Sequence, residues 1–200
     1  MSIVAQLVES GEITDPESAK GRLLSEAARL FRSRGYDRTT VRDLAAALGI
    51  QSGSLFHHYR TKEDILCAVM QDTLTISTAR LREAAVASDD PIDTLRNLIR
   101  CELTAIMGET RAALTVLVNE WRTITEERRE ELSTLREQYE KVWRDHLDQA
   151  YDHGLLCVEP AILRPLLTGA LAWTINWYNP DGNVSLDDLV DRALRLILKS

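Results

Sequence analysis

Residues 41–59 read VRDLAAALGIQSGSLFHHY, a pattern that predicts two short helices joined by a tight turn. The first helix begins behind Thr40, whose hydroxyl can cap its first turn, and ends at Gly49, a residue typical of helix ends. The second helix has Ser52 as its cap and extends to about Tyr59. A three-residue connection that contains glycine is typical of a helix-turn-helix unit.

The second predicted helix has two different faces. At about 100° per residue, Leu55 and Tyr59 fall on one apolar side. The opposite side carries small, polar and imidazole side chains: Gly53, Ser54, His57 and His58. In a helix-turn-helix, the first residues of the second helix reach base edges in the major groove of DNA. Small residues there allow close approach, and hydroxyl and imidazole groups can hydrogen-bond to bases or phosphates.

The paired histidines also raise the question of a metal site or a catalytic base. Adjacent helical residues point about 100° apart, so His57 and His58 cannot chelate one ion. His146 and His153 are about 10 Å apart along one predicted helix, which is also too far. No serine or cysteine with a partnered base is recognisable. We therefore expect no metal, no catalytic residue and no cofactor; a polar helix face without a partner is the plain alternative.

Helical periodicity continues along the chain, and we recognise no alternating strand pattern and no internal repeat. Further helix starts are predicted at Asp15-Pro16, Thr61-Lys62, Asp90-Pro91, Ala112, Glu126, Pro160 and Ser185. The helix that begins at Pro160 is predicted to extend to about Tyr178. The sequence thus predicts an all-α chain of about nine helices. We expect an N-terminal arm (1–14), a three-helix helix-turn-helix domain (15–61) and a helical bundle for ligand binding and dimerisation (62–200).

The composition is that of an ordinary globular chain with an uneven charge distribution. The 200 residues carry 24 basic and 31 acidic side chains, with a formal net charge of −7. Within residues 15–70 basic side chains slightly outnumber acidic ones, so the overall acidity does not exclude phosphate contacts there. No apolar run reaches the roughly 18 residues of a membrane helix, and a basic secretory start is lacking. We expect a cytoplasmic protein with no membrane partner and three reduced cysteines.

Four stretches resemble the DNA-binding domain of the TetR family of bacterial repressors. They are GYDRTTVRDLA at 35–45, LGI at 48–50, SGSLFHHY at 52–59 and KEDIL at 62–66. The resemblance, which covers about residues 16–70, implies a one-component repressor that binds a pseudo-palindromic operator as a homodimer and is released by a ligand. The DNA-binding residues are then predicted to be Thr40, Arg42, Ser52, Gly53, Ser54, Phe56, His57, His58 and Lys62. Thr40 and Lys62 would hold phosphates at two helix N-termini, where backbone amides favour an anion.

The C-terminal two-thirds of the chain suggests an effector site. Four tryptophans lie beyond residue 120, where they form either ordinary core or the wall of a cavity for an apolar ligand. The predicted ligand-binding residues are Trp121, Arg122, Trp143, Trp173 and Trp177. The run WTINWYNPDG at 173–182 resembles the acyl-CoA-responsive branch of the TetR family, although Asn176 stands where that branch tends to carry a basic residue. An acyl-CoA or another hydrophobic small molecule is the predicted effector.

The last two predicted helices carry more apolar surface than a short bundle covers, which favours pairing with a second copy. Two other function classes stay open at this point. One is an enzyme built on a helical bundle, which would need a catalytic set that we do not find. The other is an adaptor that binds only protein through its apolar C-terminal helices.

Overall fold

The computed structural model describes residues 1–55, 57–108 and 110–199. Regular structure in these ranges is helical, apart from one isolated bridge between Leu156 and Leu198. The ten α-helices there are α1 (Ile3–Glu9), α2 (Ala19–Arg34), α3 (Val41–Ala47), α4 (Ser52–Leu55), α5 (Lys62–Ala85), α6 (Pro91–Met107), α7 (Arg111–Glu120), α8 (Glu126–Asp152), α9 (Pro160–Trp173) and α10 (Leu186–Ile197). A 3-10 helix, Thr174–Asn176, follows α9. The predicted all-α class is confirmed, and none of these helices has the length and apolar character to cross a bilayer.

The chain divides into two compact units. The first unit comprises Met1–Ile76 and Glu109–Arg136, and the second comprises Ser77–Gly108 and Glu137–Ser200. In the first unit, α2 to α5 enclose a core together with α7 and the start of α8. Its buried side chains include Leu23, Ala27, Phe31, Leu44, Leu55, Ile65, Leu66, Met70, Val116, Ile124 and Leu132. Each large apolar side chain that is fully buried contributes roughly 1.5–3 kcal/mol, so this cluster fixes how α3 and α4 are presented.

The second unit has its own core, to which α6, α8, α9 and α10 contribute. The largest buried side chain there is Trp143, surrounded by aliphatic residues. These include Leu81, Leu95, Leu98, Ile99, Leu103, Leu147, Leu163, Leu167, Leu171, Val190, Leu194 and Ile197. Two ion pairs, Arg96 with Asp191 and Arg100 with Asp187, link α6 to α10 at the surface.

The predicted start of α2 is wrong by part of a turn. Ser18, not Asp15, caps the helix, and its hydroxyl accepts a hydrogen bond from the amide of Gly21 at 2.9 Å. The Asp15 carboxylate accepts instead from the amide of Glu17, which makes a turn ahead of the helix. A Cβ on Gly21 would lie 2.1 Å from the Asp15 carbonyl oxygen, so this turn packs where only glycine fits.

Three further differences concern short segments. The predicted N-terminal arm, 1–14, contains α1, which is capped by Ser2 and has Leu7 buried. The helix predicted over 52–59 is confined to Ser52–Leu55, so Ser52 is its first residue and not its cap. The predicted helix from Pro160 ends at Trp173, where the Thr174 hydroxyl donates to the carbonyl of Leu171 at 2.6 Å and the backbone tightens into the 3-10 turn.

Candidate nucleic-acid interface and effector site

The predicted first helix of the helix-turn-helix is present as α3 and begins with a complete capping box. The Thr40 hydroxyl accepts from the amide of Asp43 at 3.2 Å, and the Asp43 carboxylate accepts from the Thr40 amide at 2.8 Å. Hydrogen bonds from the Thr40 hydroxyl and amide lower the pKa of Asp43, and Arg34 at 3.5 Å lowers it further. Both polar groups of Thr40 are therefore engaged by Asp43, which leaves a carboxylate at the start of α3.

The short helix α4 and the residues that follow it, 57–59, have a buried side and an exposed side. Leu55 is 1% exposed in the core, and Tyr59 is half-buried. The predicted groove-facing residues that the structure describes are all exposed: Gly53, Ser54, His57 and His58. Phe56, the remaining predicted groove contact, lies outside the described residues. Ser52 is half-buried, whereas Arg42 on α3 is exposed and has no ion-pair partner among the described residues.

Gly53 is unusual because nothing inside the chain requires a glycine there. A Cβ at this position would meet no atom within 4 Å, and the backbone φ is not in the left-handed region. Glycine inside a helix costs about 1 kcal/mol relative to alanine. The absent side chain therefore does not serve the packing or the backbone of this fold. It leaves room for an outside partner to approach the backbone of α4.

Lys62, predicted to hold a phosphate, makes three contacts inside the chain. Its ammonium donates to the carbonyl of Tyr36 at 2.8 Å and to that of Thr39 at 3.0 Å. It also lies 4.0 Å from the centre of the Tyr36 ring. Lys62 thus holds the loop between α2 and α3, immediately before the Thr40 cap. Two of the three N–H donors of the ammonium are used by these carbonyls.

The first turn of α5 has two more polar links, neither of which the sequence predicts. The Glu63 carboxylate accepts from the amide of Thr125 at 2.8 Å, and Asp64 pairs with Arg128 of α8. On the other side of the loop, the Tyr36 amide donates to Glu120 of α7. The loop that precedes α3 is therefore held by α5 and by α7 within the first unit.

The five predicted ligand-binding residues are divided between the two units. Trp121 and Arg122 belong to the first unit, where Trp121 is half-buried under the guanidinium of Arg136 at 4.6 Å. In the second unit Trp143 is 0% exposed, whereas Trp173 and Trp177 are 66% and 57% exposed. Trp173 and Trp177 also do not share one α-helix, because α9 ends at Trp173.

A buried polar cluster surrounds Trp143 instead. Arg164 of α9 is 8% exposed and makes two hydrogen bonds to Glu140 of α8, at 2.8 and 3.2 Å. Its guanidinium lies 4.5 Å from the Trp143 ring centre. The hydroxyl of Tyr139 donates to Glu102 of α6 at 3.0 Å. The cluster joins three helices of the second unit through charged and aromatic groups.

The donors of this cluster are not fully satisfied. Arg164 Nη1 is 3.6 Å from Glu102 Oε2 and makes no hydrogen bond to a described residue. The Trp143 indole N–H is close enough to Glu102 to lower the pKa of that carboxyl, but it also falls short of full hydrogen-bond geometry. Burial raises the pKa of Glu102, against the opposing effect of Arg164 and of the Tyr139 hydrogen bond. Burial and the neighbouring Glu102 carboxylate also raise the pKa of Tyr139. A buried donor without an acceptor costs about 1–3 kcal/mol, so an additional acceptor oxygen would be stabilised here.

Sequence reasoning missed this cluster, although a signal was available. Residues 160–173 read PAILRPLLTGALAW, and Arg164 is the sole charged residue in that run. A single charge at a core position of an apolar helix requires a buried counter-charge. Its partners Glu102 and Glu140 lie far away in the sequence, so only the fold identifies them.

Two family models match the chain, one in each part of the sequence. Residues 23–69 match the family model described as bacterial regulatory proteins, tetR family, and residues 88–200 match the tetracyclin repressor-like C-terminal domain. The chain belongs to the TetR family. It is a DNA-binding transcriptional regulator and not an enzyme, which confirms the predicted family and excludes the helical-bundle enzyme.

Relatives in this family align over nearly the full chain. The transcriptional repressor KstR2 of Rhodococcus jostii is 30% identical over 190 residues, which cover 92% of this chain and 93% of KstR2. The structure of the ketosteroid transcriptional regulator KstR2 of Mycobacterium tuberculosis has a TM-score of 0.81 at 26% identity, and covers 94% of this chain and 100% of that one. A crystal structure described as superantigen pfit has a TM-score of 0.84 at 44% identity, with coverage of 98% and 97%.

Proposed function

We propose that this TetR-family regulator is a repressor that binds a pseudo-palindromic operator as a homodimer and leaves it when a small hydrophobic effector binds. The observation that carries the proposal is the exposed polar face of α4, presented above a buried Leu55 and containing a glycine that the fold itself does not need. KstR2 relatives that align over more than nine-tenths of their length are repressors. A regulator of bacterial genes acts in the cytoplasm.

In this proposal α4 enters the major groove and α3 lies across the backbone. Arg42, Ser54, His57 and His58 supply exposed donors for bases and phosphates, while Ser52 and Phe56 complete the predicted contact set. Thr40 and Lys62 have a structural role in addition to the predicted phosphate contact. Since both are engaged inside the chain, they act first by fixing the start of α3.

Substitutions on this face test the DNA contacts. We expect Arg42→Ala and His57→Ala each to weaken binding to the DNA upstream of the protein's own gene by about tenfold or more, because each removes a contact of roughly 1–3 kcal/mol. Gly53→Ala is expected to weaken binding similarly while leaving thermal stability equal or higher, since alanine favours the helix and meets no neighbour. Mobility shifts and thermal melts measure both effects.

A matched control is Arg82→Ala, which removes the same charge from an exposed position of α5 in the second unit. It should bind DNA normally. Unchanged DNA binding in Arg42→Ala, His57→Ala and Gly53→Ala together would contradict the proposed interface. Loss of the shift at high salt is expected in the unaltered protein, because phosphate contacts release counterions.

The homodimer is proposed from an exposed apolar face of the second unit. Large side chains with at least half of their surface exposed lie along α9 at helical spacing and continue on α10: Ile162, Leu166, Trp173 and Leu196. Gly169, on the same side of α9, would meet no atom within 4 Å if it carried a Cβ. Such a face lets a second helix approach closely, and a two-fold dimer matches the symmetry of a pseudo-palindrome. Trp173 is then first a dimer contact, and its role toward an effector stays a prediction.

The effector is proposed to be a hydrophobic molecule that carries a carbonyl oxygen, for which an acyl-CoA thioester is the first candidate. Apolar side chains of the second unit would take its hydrophobic part, and the unsatisfied donors of Trp143 and Arg164 would take the oxygen. A neutral acceptor fits better than a carboxylate, because Glu102 and Glu140 already face Arg164. The name of the KstR2 relative as a ketosteroid regulator supports a hydrophobic effector.

Octanoyl-CoA and free CoA test this assignment. We expect octanoyl-CoA to weaken DNA binding by at least about tenfold, a coupling of the usual allosteric size. Arg164→Met keeps apolar contacts of the stem but leaves the Glu140 carboxylate without its partner, so a thermal melt must first show that the variant is folded. The folded variant should bind DNA without effector and should no longer be released. Lys141→Met, at an exposed position of α8, is the matched control. Release by free CoA alone, or normal release from Arg164→Met, would contradict the assignment.

A role as a superantigen is a second candidate, favoured only by the 44% identity to the chain described by that name. The exposed face of α4 favours DNA over this alternative. Binding to immune receptors with retention of full affinity in Gly53→Ala and Arg42→Ala would support the superantigen role.

A further inference from the structure

A hollow of about 210 Å³ lies in the first unit between the end of α2, the loop that follows it and the outer face of α7. Polar and basic side chains line it: Arg32, Arg34, Arg38, Thr115, Asn119 and Glu120. Pockets for drug-sized ligands are larger, roughly 300–1,000 Å³. The hollow therefore suits a small ligand, and none of its lining residues belongs to the predicted DNA or effector sites.

Not all of the arginines at the hollow are accounted for by the favourable effect of cations at the end of a helix. Arg32 and Arg34 lie in the last turn of α2, where cations are favourable in any helix. Arg38 lies beyond the helix and still lines the same hollow. All three arginines are exposed, and the Arg34 guanidinium pairs with Asp43 at 3.5 Å, so an anion in the hollow would add a counter-charge that the described part of the chain supplies only to Arg34.

The nearby carboxylates are largely engaged elsewhere. Glu120 accepts from the amide of Tyr36 at 3.3 Å and from the hydroxyl of Thr123 at 2.8 Å. Asp43 pairs with Arg34 at 3.5 Å, but its oxygens also accept from Thr40 in the capping box. For Arg32 and Arg38, the described parts of the chain provide no carboxylate partner. Two guanidinium groups in the hollow thus lack a counter-charge.

We propose that this hollow binds a small oxyanion, specifically the phosphate group of a small phosphorylated molecule. Guanidinium groups match phosphate oxygens through paired N–H donors, and three of them can surround one group. The amide of Asn119 adds a donor on the α7 side of the hollow. The concave shape accommodates a single group, whereas protruding helix ends and side chains are what contact duplex phosphates.

An anion bound in the hollow would affect the helix-turn-helix, because the hollow borders the loop before α3. Gly35 and Arg38 line the hollow and belong to the loop that Lys62 holds through the carbonyls of Tyr36 and Thr39. An anion that links Arg38 to the end of α2 and to α7 would restrain this loop, and with it the Thr40 cap of α3. The anion site is therefore separate from the effector site of the second unit, and its existence does not depend on the proposed repressor function.

Inorganic pyrophosphate and inorganic phosphate are the probes, titrated into the full chain without DNA and measured by calorimetry and thermal melting. We expect pyrophosphate to bind with a Kd of about 1 mM or lower and to raise the Tm. Arg38→Gln should weaken binding about tenfold or more, since it removes one charged donor pair. Arg29→Gln, on α2 but paired with Glu26 and outside the hollow, should bind normally.

Each other outcome overturns the proposal. Absence of binding heat and of a Tm shift in the unaltered protein means that the hollow holds no anion. Equal weakening in Arg38→Gln and Arg29→Gln means that the effect is diffuse electrostatics. Arg38→Gln that weakens DNA binding while the unaltered protein ignores pyrophosphate assigns these arginines to duplex phosphates. Asn119→Leu, which keeps every charge, separates a built site from net charge: the proposal requires it to weaken pyrophosphate binding as well.

Discussion

Leu166→Glu is expected to convert the proposed homodimer into a monomer and to lower operator affinity by at least about 100-fold, since linked binding modules gain 10²–10⁴ in avidity. Leu166 is 64% exposed in the middle of the apolar face of α9, so the change leaves the core of its own unit intact. In a two-fold interface the substitution occurs twice, and both glutamates would be buried close to the symmetry axis without a partner. Light scattering after size-exclusion chromatography gives the mass, and a mobility shift gives the DNA affinity.

Val118→Glu is the matched control for the dimer experiment. Val118 is also a largely exposed aliphatic residue, but it lies on α7 in the first unit. It should leave both the mass and the DNA affinity unchanged. A Leu166→Glu protein that stays dimeric would place the dimer interface elsewhere and would remove the proposed role of α9.

Lys62→Met is expected to lower the free energy of unfolding of the DNA-free protein by about 2–4 kcal/mol and to weaken DNA binding at the same time. Two hydrogen bonds from a charged donor are lost, and each contributes roughly 1.5–3 kcal/mol. Because Lys62 is only half-buried and water can replace part of both bonds, the expected loss is smaller than their sum. Methionine retains most of the aliphatic stem, so packing changes little. Denaturant unfolding and a mobility shift at several salt concentrations measure the two effects.

The salt dependence separates two roles of Lys62. A residue that only held a phosphate would leave the DNA-free stability unchanged and would reduce the slope of log affinity against log salt by about 1. A residue that holds the loop before α3 loses stability without DNA present. Lys62→Arg should recover part of the stability, because arginine can still donate to carbonyls, whereas normal stability of Lys62→Met would contradict the loop role.

Local signals in the sequence predict the helix-turn-helix well. Thr40 and Asp43 form a capping box at the start of α3, and Gly49 follows its end in the left-handed conformation. Leu55 is the apolar residue of α4 and is buried. Each of these features involves residues within one or two turns of each other, so a short window contains the whole interaction. The same applies to the Asp90 cap of α6 and the Ser185 capping box of α10.

Local signals fail where two of them compete. Asp15-Pro16 and Ser18 are both acceptable helix starts, and the contact of Gly21 with the Asp15 carbonyl decides for Ser18. Apolar periodicity continues through residue 177, but α9 ends at Trp173. The next residue, Thr174, donates its hydroxyl to the carbonyl of Leu171, and the backbone forms a 3-10 turn. The tryptophans are predicted as ligand contacts from their position beyond residue 120 and from the resemblance of residues 173–182, and neither signal distinguishes the buried Trp143 from the exposed Trp173.

The sequence by itself determined the helical class, the order of the helices and the two faces of α4, because spacing and capping act between near neighbours. Only the tertiary structure decided the partners of Lys62 and Arg164. These side chains meet groups that are distant in the chain, such as Glu102 and the carbonyl of Tyr36. A buried charged group needs a hydrogen-bond or ion-pair partner, and folding brings that partner close from a distant part of the chain. A short stretch of sequence therefore does not contain the information that identifies it.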